Sequence, residues 1–157
     1  MGFFSWLESS KLALWIGESL WGYPIALTCH AVGMAIMVGL VAVVDLRVAG
    51  FFQAVSMDSI RKALTVAWWG FALNVASGFS LFSSQATYFI THKAFIVKLI
   101  AIILAAINAY MLQRMLRANS TSWDANGVAT GKAKMLAISS LLLWLTAVIA
   151  GRLIAYV

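Results

Sequence analysis

The chain contains two histidines, His30 and His92, and each lies in or beside a long apolar run. An imidazole, an ammonium or a guanidinium at membrane depth is costly, so each one calls for an explanation. His30 falls seven to nine residues inside the first apolar run, about 10–13 Å along a helix axis from its outer end. His92 stands just before the third run, Lys98 within its first turn or so, Arg152 five residues from the end of the fourth, and Glu18 just before the first. In an up-and-down bundle all five belong to the same half. Two neutral imidazoles, from His30 and His92, can ligate a b-type haem axially. Lys98 and Arg152 can pair with its propionates, and Trp21, Phe89 and Phe95 can wall the ring. His30 alone is also a sufficient ligand and leaves a coordination position open. The plainer alternative makes His30 an interhelical hydrogen-bonding residue and His92 a loop residue. Lys98 and Arg152 then snorkel to the membrane surface.

Copper is a second chemistry. Cys29 adjoins His30, and His30, Met34 and Met37 share one helical face at i, i+4 and i+7. Sulfur with imidazole suits Cu(I), although methionine also fills gaps in apolar helices. No Gly-rich phosphate loop, H-E-x-x-H or G-x-S-x-G motif is present. Serine, histidine and acid residues do not form a nucleophilic triad. The chain therefore does not read as an enzyme, and at most as an electron-transfer subunit. Asn74, Asn108 and Gln113 read as interhelical hydrogen-bonding residues, and Asp45 and Arg47 as local surface pairs.

The elements that position these groups follow from composition. Of 157 residues, 63% are hydrophobic and 10% charged, and the mean hydropathy is +0.94. A soluble domain carries about 25% charged residues, and disorder requires low hydrophobicity. One cysteine rules out an internal disulfide and every multi-cysteine metal motif. A spanning helix needs about 20 apolar residues. Four segments qualify, at about 21–44, 63–82, 94–116 and 135–157. Period-two alternation is absent, so a β-barrel is rejected. The expected fold is all-α: one integral membrane domain over 1–157, a four-transmembrane-helix bundle with an N-terminal amphipathic interfacial helix at 1–20. Ala101, Ala105 and Ala109, and likewise Ala147, Gly151 and Ala155, form small-residue stripes for close helix packing. Ala118–Lys132 reads as the longest linker.

Basic residues set the orientation. Arg47, Arg61, Lys62, Arg114, Arg117, Lys132 and Lys134 fall on one side, and Lys11, Lys93, Lys98 and Arg152 on the other. The richer side is expected to be cytoplasmic, with both termini periplasmic, in a bacterial cytoplasmic (inner) membrane. The formal net charge of +6 is then a topology signal, and the pattern argues against a nucleic-acid partner.

The segments Glu18–Pro24 (E-S-L-W-G-Y-P), His30–Ala35 (H-A-V-G-M-A), Asp45–Gly50 (D-L-R-V-A-G), Ser77–Phe82 (S-G-F-S-L-F), Phe95–Lys98 (F-I-V-K) and Gly151–Tyr156 (G-R-L-I-A-Y) carry a resemblance. Together they resemble a family of small bacterial four-helix integral membrane proteins of unassigned activity. That family is loosely similar to copper-resistance D proteins and to b-type cytochrome membrane subunits. The resemblance covers nearly the whole chain and implies the fold more than any chemistry. It implies a histidine at His30, with Lys98 and Arg152 also fitting. His92 departs from the pattern, which favours His30 alone. The expected function is a small redox-associated subunit that binds haem b or docks beside a redox partner. The alternatives are an accessory subunit of a larger membrane complex without cofactor, and copper or small-molecule transport. The expected partners are the lipid bilayer and other membrane subunits.

Overall fold

Three hydroxyl residues start helices by accepting a hydrogen bond from the backbone three residues on. Ser10 accepts from Ala13, Ser56 from Ser59 and Thr130 from Ala133. In the computed structural model, which describes residues 2–126, 129–154 and 156 and leaves aside the side chains of 120, 121 and 124–126, seven helices follow in order. They are α1 (Phe3–Glu8), α2 (Lys11–Glu18), α3 (Gly22–Ala49), α4 (Met57–Ser84), α5 (Ala86–Thr91), α6 (Lys93–Asn126) and α7 (Gly131–Leu153). No strand occurs among the described residues.

The protein is an all-α, multi-pass membrane protein. Helices α3, α4, α6 and α7 are each long and apolar enough to cross a bilayer. They alternate in direction and close a ring in which α3 adjoins α4 and α7, and α6 adjoins the same two. Their outer faces carry Val32, Val66, Ile103, Ile107, Leu142 and Ile149, all exposed and suited to lipid contact. The helices overrun the apolar runs. At 28 residues, α3 is about 42 Å long, against a hydrocarbon thickness of about 30 Å. It stops where Gly50 takes a left-handed φ of 116°. There Gly50 N bonds Arg47 O and Phe51 N bonds Leu46 O, which closes the last turn. Helix α6 continues to Asn126, so most of the expected Ala118–Lys132 linker is helical.

The α3–α4 contact is the tightest in the bundle. A Cβ on Gly33 would stand 2.8 Å from Asn74 N, and one on Gly70 2.9 Å from Ile36 Cγ2. On α6, Ala101, Ala105 and Ala109 are buried as expected. On α7 the buried stripe runs through Ala133, Ala137, Ser140, Trp144 and Ala147, while Gly151 is half-buried and Ala155 lies outside the described residues.

The N-terminal segment is helical but divided. Ser9 ends α1 and Ser10 caps α2, so no continuous helix runs from 1 to 20. Leu7, Ala13 and Ile16 are buried. Helix α2 packs on α3 and α4, and α1 on α4 and α5. Glu8 turns toward α5. Its Oε1 accepts from Thr87 N at 2.8 Å and Thr87 Oγ1 at 2.7 Å, in the first turn of α5. These two Thr87 bonds hold the Glu8 carboxyl below its usual range.

Asp45 and Arg47 are not surface pairs. Their exposures are 1% and 3%, because α3 continues past the apolar run and both pack inside the bundle. Arg47 Nε donates to Val55 O at 2.7 Å. The Asp45 carboxyl lies beside Ser140 with no hydrogen-bond partner within 3.5 Å among the described residues.

Candidate functional site

His30 sits on the face of α3 that meets α4. Its Nδ1 lies 3.1 Å from Asn74 O and 3.3 Å from Ser77 Oγ. A carbonyl only accepts, and Ser77 Oγ already donates to Leu73 O, so Nδ1 carries the proton. Asn74 Nδ2 donates back to His30 O at 2.9 Å. Each residue thus bonds the other's backbone. This reciprocal pair orients the imidazole and, in the neutral ring, selects the tautomer with its lone pair on Nε2. Gly78 provides the space: a Cβ there would stand 3.0 Å from His30 Cε1.

Two adjoining compartments open in front of this ring at the α5 end of the bundle. The inner one, about 300 Å³, lies in the seam between α4 and α6 and is walled by Phe71, Phe79, Phe82 and Phe95 with His30 and Lys98. The outer one, about 520 Å³, adds Tyr23 of α3, Tyr88 and Phe89 of α5, and Gly151 and Arg152 of α7. Bulky phenylalanines hold α4 and α6 apart here, while glycine brings α3 and α4 together. Phe82 and Phe95 stack with centroids 5.4 Å apart and planes 6° apart. Phe89 packs 5.4 Å from Phe95, so α4, α5 and α6 share one aromatic wall.

Two cations reach the same space. The stem and Nζ of Lys98 lie across Gly151, where a Cβ would be 3.4 Å away. Arg152 follows directly, with its guanidinium 5.5 Å from the Tyr156 ring centroid. Neither cation has a carboxylate within 4.0 Å among the described residues. The cavity thus combines an oriented imidazole, two cations with no ion pair among the described residues and an apolar aromatic wall. Its chemistry suits a flat, largely apolar ligand that carries carboxylates or phosphates.

The structure brings His30, Lys98 and Arg152 together, with Phe89 and Phe95 on the wall. It does not bring the other expected residues to them. His92 lines neither compartment; its ring packs 5.3 Å from Tyr88, and its Nδ1 is buried without a hydrogen bond among the described residues. Met37 is in the apolar core and lines a separate small cavity with Val41, Leu64, Phe71 and Trp144. Met34 is half-buried and lines neither compartment, and Trp21 is exposed. Among the described residues no three His, Cys, Asp or Glu side chains group as metal ligands.

Ser77, Gly78 and Phe82 were not anticipated as site residues, although all three lie in the S-G-F-S-L-F segment. Asn74 was expected only as an interhelical hydrogen-bonding residue, and it does that too. Gln113 Oε1 accepts from Trp68 Nε1 at 3.2 Å, and Asn108 Nδ2 donates to Ser139 Oγ at 2.6 Å. No protein-family model, curated protein or solved structure matches the chain.

Proposed function

We propose that this small integral membrane protein is a redox-associated subunit that holds a b-type haem at the α5 end of the bundle, with His30 as the axial ligand. The observation that carries this reading is the state of the imidazole. Metal-bound histidines donate their other ring nitrogen to a carbonyl or carboxylate, which fixes the tautomer and the ring direction. His30 has that arrangement: Nδ1–H is taken by Asn74 O and Ser77 Oγ, and the residue lines both compartments.

The remaining residues support the same ligand. Lys98 and Arg152 line the outer compartment and supply positive charge for two carboxylates, with no carboxylate paired to either among the described residues. Phe82, Phe89 and Phe95 exclude water and offer a flat apolar surface. The compartments, about 300 and 520 Å³, fall in the range of small-molecule and cofactor sites. His92 stands apart, so one histidine is the ligand set. Bound there, haem supplies one-electron redox chemistry.

The test is the visible spectrum of the full chain, purified in detergent after expression with ample haem, oxidised and dithionite-reduced. One haem per chain with a reduced α-band is expected. His30→Ala loses it and His92→Ala keeps it. Lys98→Met and Arg152→Gln each weaken haem retention about tenfold without moving the bands. A folded protein with a flat visible spectrum, or haem retained equally by His30→Ala, overturns the proposal.

A further inference from the structure

The opposite end of the bundle carries a second feature. Tyr110, Arg114 and Arg117 lie at i, i+4 and i+7 on α6 and therefore form one stripe. With Gln113 and Ala118 they line a groove of about 500 Å³ on the outer surface. All three stripe residues are exposed. Gln113 at the edge of the groove is fixed by its bond from Trp68 of α4.

Depth places this groove at a membrane surface. Arg114 is about 32 Å along α6 from Lys93, and Arg117 about 36 Å, against a hydrocarbon thickness of about 30 Å. Tyr110, at about 26 Å, reaches the acyl boundary, where tyrosine rings favour the interface. The arginines then stand at headgroup level on the side richer in basic residues. Among the described residues no carboxylate pairs with these arginines. Of the five acidic residues in the chain, Glu8 and Glu18 are at the α5 end, Asp45 is buried, and Asp58 is held by Arg61 and Lys62 at 2.6 and 2.7 Å. The fifth, Asp124, has a side chain outside the described set. Neither Arg114 nor Arg117 forms an ion pair among the described residues.

We infer that this groove is a binding site for the phosphate headgroup of an anionic phospholipid in the adjoining leaflet. Two guanidiniums one turn apart grip phosphate oxygens through paired N–H donors. The Tyr110 ring lies along the upper acyl chain, and the chains continue down the lipid-facing side of α6 past Ile107 and Ile103, both exposed. A zwitterionic lipid presents the same phosphate with a neutralising ammonium, so charge selects against it.

Native mass spectrometry of the full chain, titrated in detergent with phosphatidylglycerol or phosphatidylcholine, tests this. Retention of phosphatidylglycerol in preference to phosphatidylcholine is expected. Arg114→Gln with Arg117→Gln lowers that affinity about 30-fold, about fivefold per arginine. Arg114→Lys with Arg117→Lys keeps the charge and the preference for phosphatidylglycerol, with an affinity between those of the wild type and the glutamine variant, and controls for folding. Equal retention of the two lipids by the wild-type chain overturns the proposal without any variant. So does unchanged affinity in the glutamine variant. Displacement of phosphatidylglycerol by millimolar inorganic phosphate also overturns it, because the groove is then a free-anion site.

Discussion

Gly33→Ala and Gly39→Ala add the same methyl group to the same helix, six residues apart, and should have opposite effects. At Gly33 the new Cβ would meet backbone only: Asn74 N at 2.8 Å, Gly70 O at 3.0 Å and Asn74 Cα at 3.1 Å. No flexible side chain can swing aside, so α3 and α4 must separate. Moving the closest pair from 2.8 Å to an ordinary 3.4 Å contact takes about 0.6 Å. A displacement of that size lengthens the His30 Nδ1 to Asn74 O contact from 3.1 Å to about 3.7 Å, beyond hydrogen-bonding range. Overpacking of this kind costs about 1–3 kcal/mol, and two weakened interhelical hydrogen bonds add about 0.6 kcal/mol each. Better helix propensity returns up to about 1 kcal/mol. The net expectation for Gly33→Ala is a loss of about 1–3 kcal/mol. A Cβ at Gly39 meets nothing within 4 Å, so Gly39→Ala should be neutral or stabilising by up to about 1 kcal/mol. Equilibrium unfolding in mixed micelles, followed by circular dichroism and extrapolated linearly, measures both. If the two variants agree within about 0.5 kcal/mol, the close α3–α4 approach is not what holds His30 in place.

Three further predictions concern other parts of the chain. Gly78→Ala pushes the His30 ring by a few tenths of an ångström, since its Cβ would stand 3.0 Å from Cε1; haem titration should show weaker binding, with less loss of stability than in Gly33→Ala. The bonds from Thr87 depress the Glu8 carboxyl from 4.5, so the α1–α5 clasp is fully formed above that pH and released as pH falls through the lower folded value. Hydrogen exchange of the Thr87 amide should report that release, and Glu8→Gln should remove the pH step. Asp45→Asn breaks no hydrogen bond among the described residues and relieves the burial of a carboxylate. Unfolding measurements at neutral pH should find it as stable as wild type or up to about 1 kcal/mol more so, and a clear loss would mean that the charged form is partnered.

The bundle was legible because the hydrocarbon thickness demands long apolar runs, and α3, α4, α6 and α7 each contain one. Their ends were less legible. Nothing in an apolar count shows that Ser56 starts α4 at Met57, or that α6 carries on through polar residues to Asn126. Ser10, a cap-forming residue type, marks where the N-terminal segment divides. For the site, counting residues gave depth, and depth sufficed to group His30, Lys98 and Arg152. It did not give azimuth. His30 and Met37 share a stripe on α3, yet α4 offers the first Asn74, Ser77 and Gly78, and offers the second Leu64 and Ala67. That cradle depends on the α3–α4 register, which is set by one glycine on each helix and not by a repeated small-residue stripe. His92 was placed by depth alone, and its ring packs on Tyr88 instead.

The central claim is that the free nitrogen of His30 is an iron ligand. The most direct measurement is a haem titration of His30→Gly, followed by its visible spectrum, with and without added imidazole. The variant opens a ring-sized space beside Gly78 that free imidazole can enter. Loss of stoichiometric haem in His30→Gly, with recovery of the wild-type bands on adding imidazole, is the predicted result. Wild-type haem binding by His30→Gly without imidazole would contradict the account.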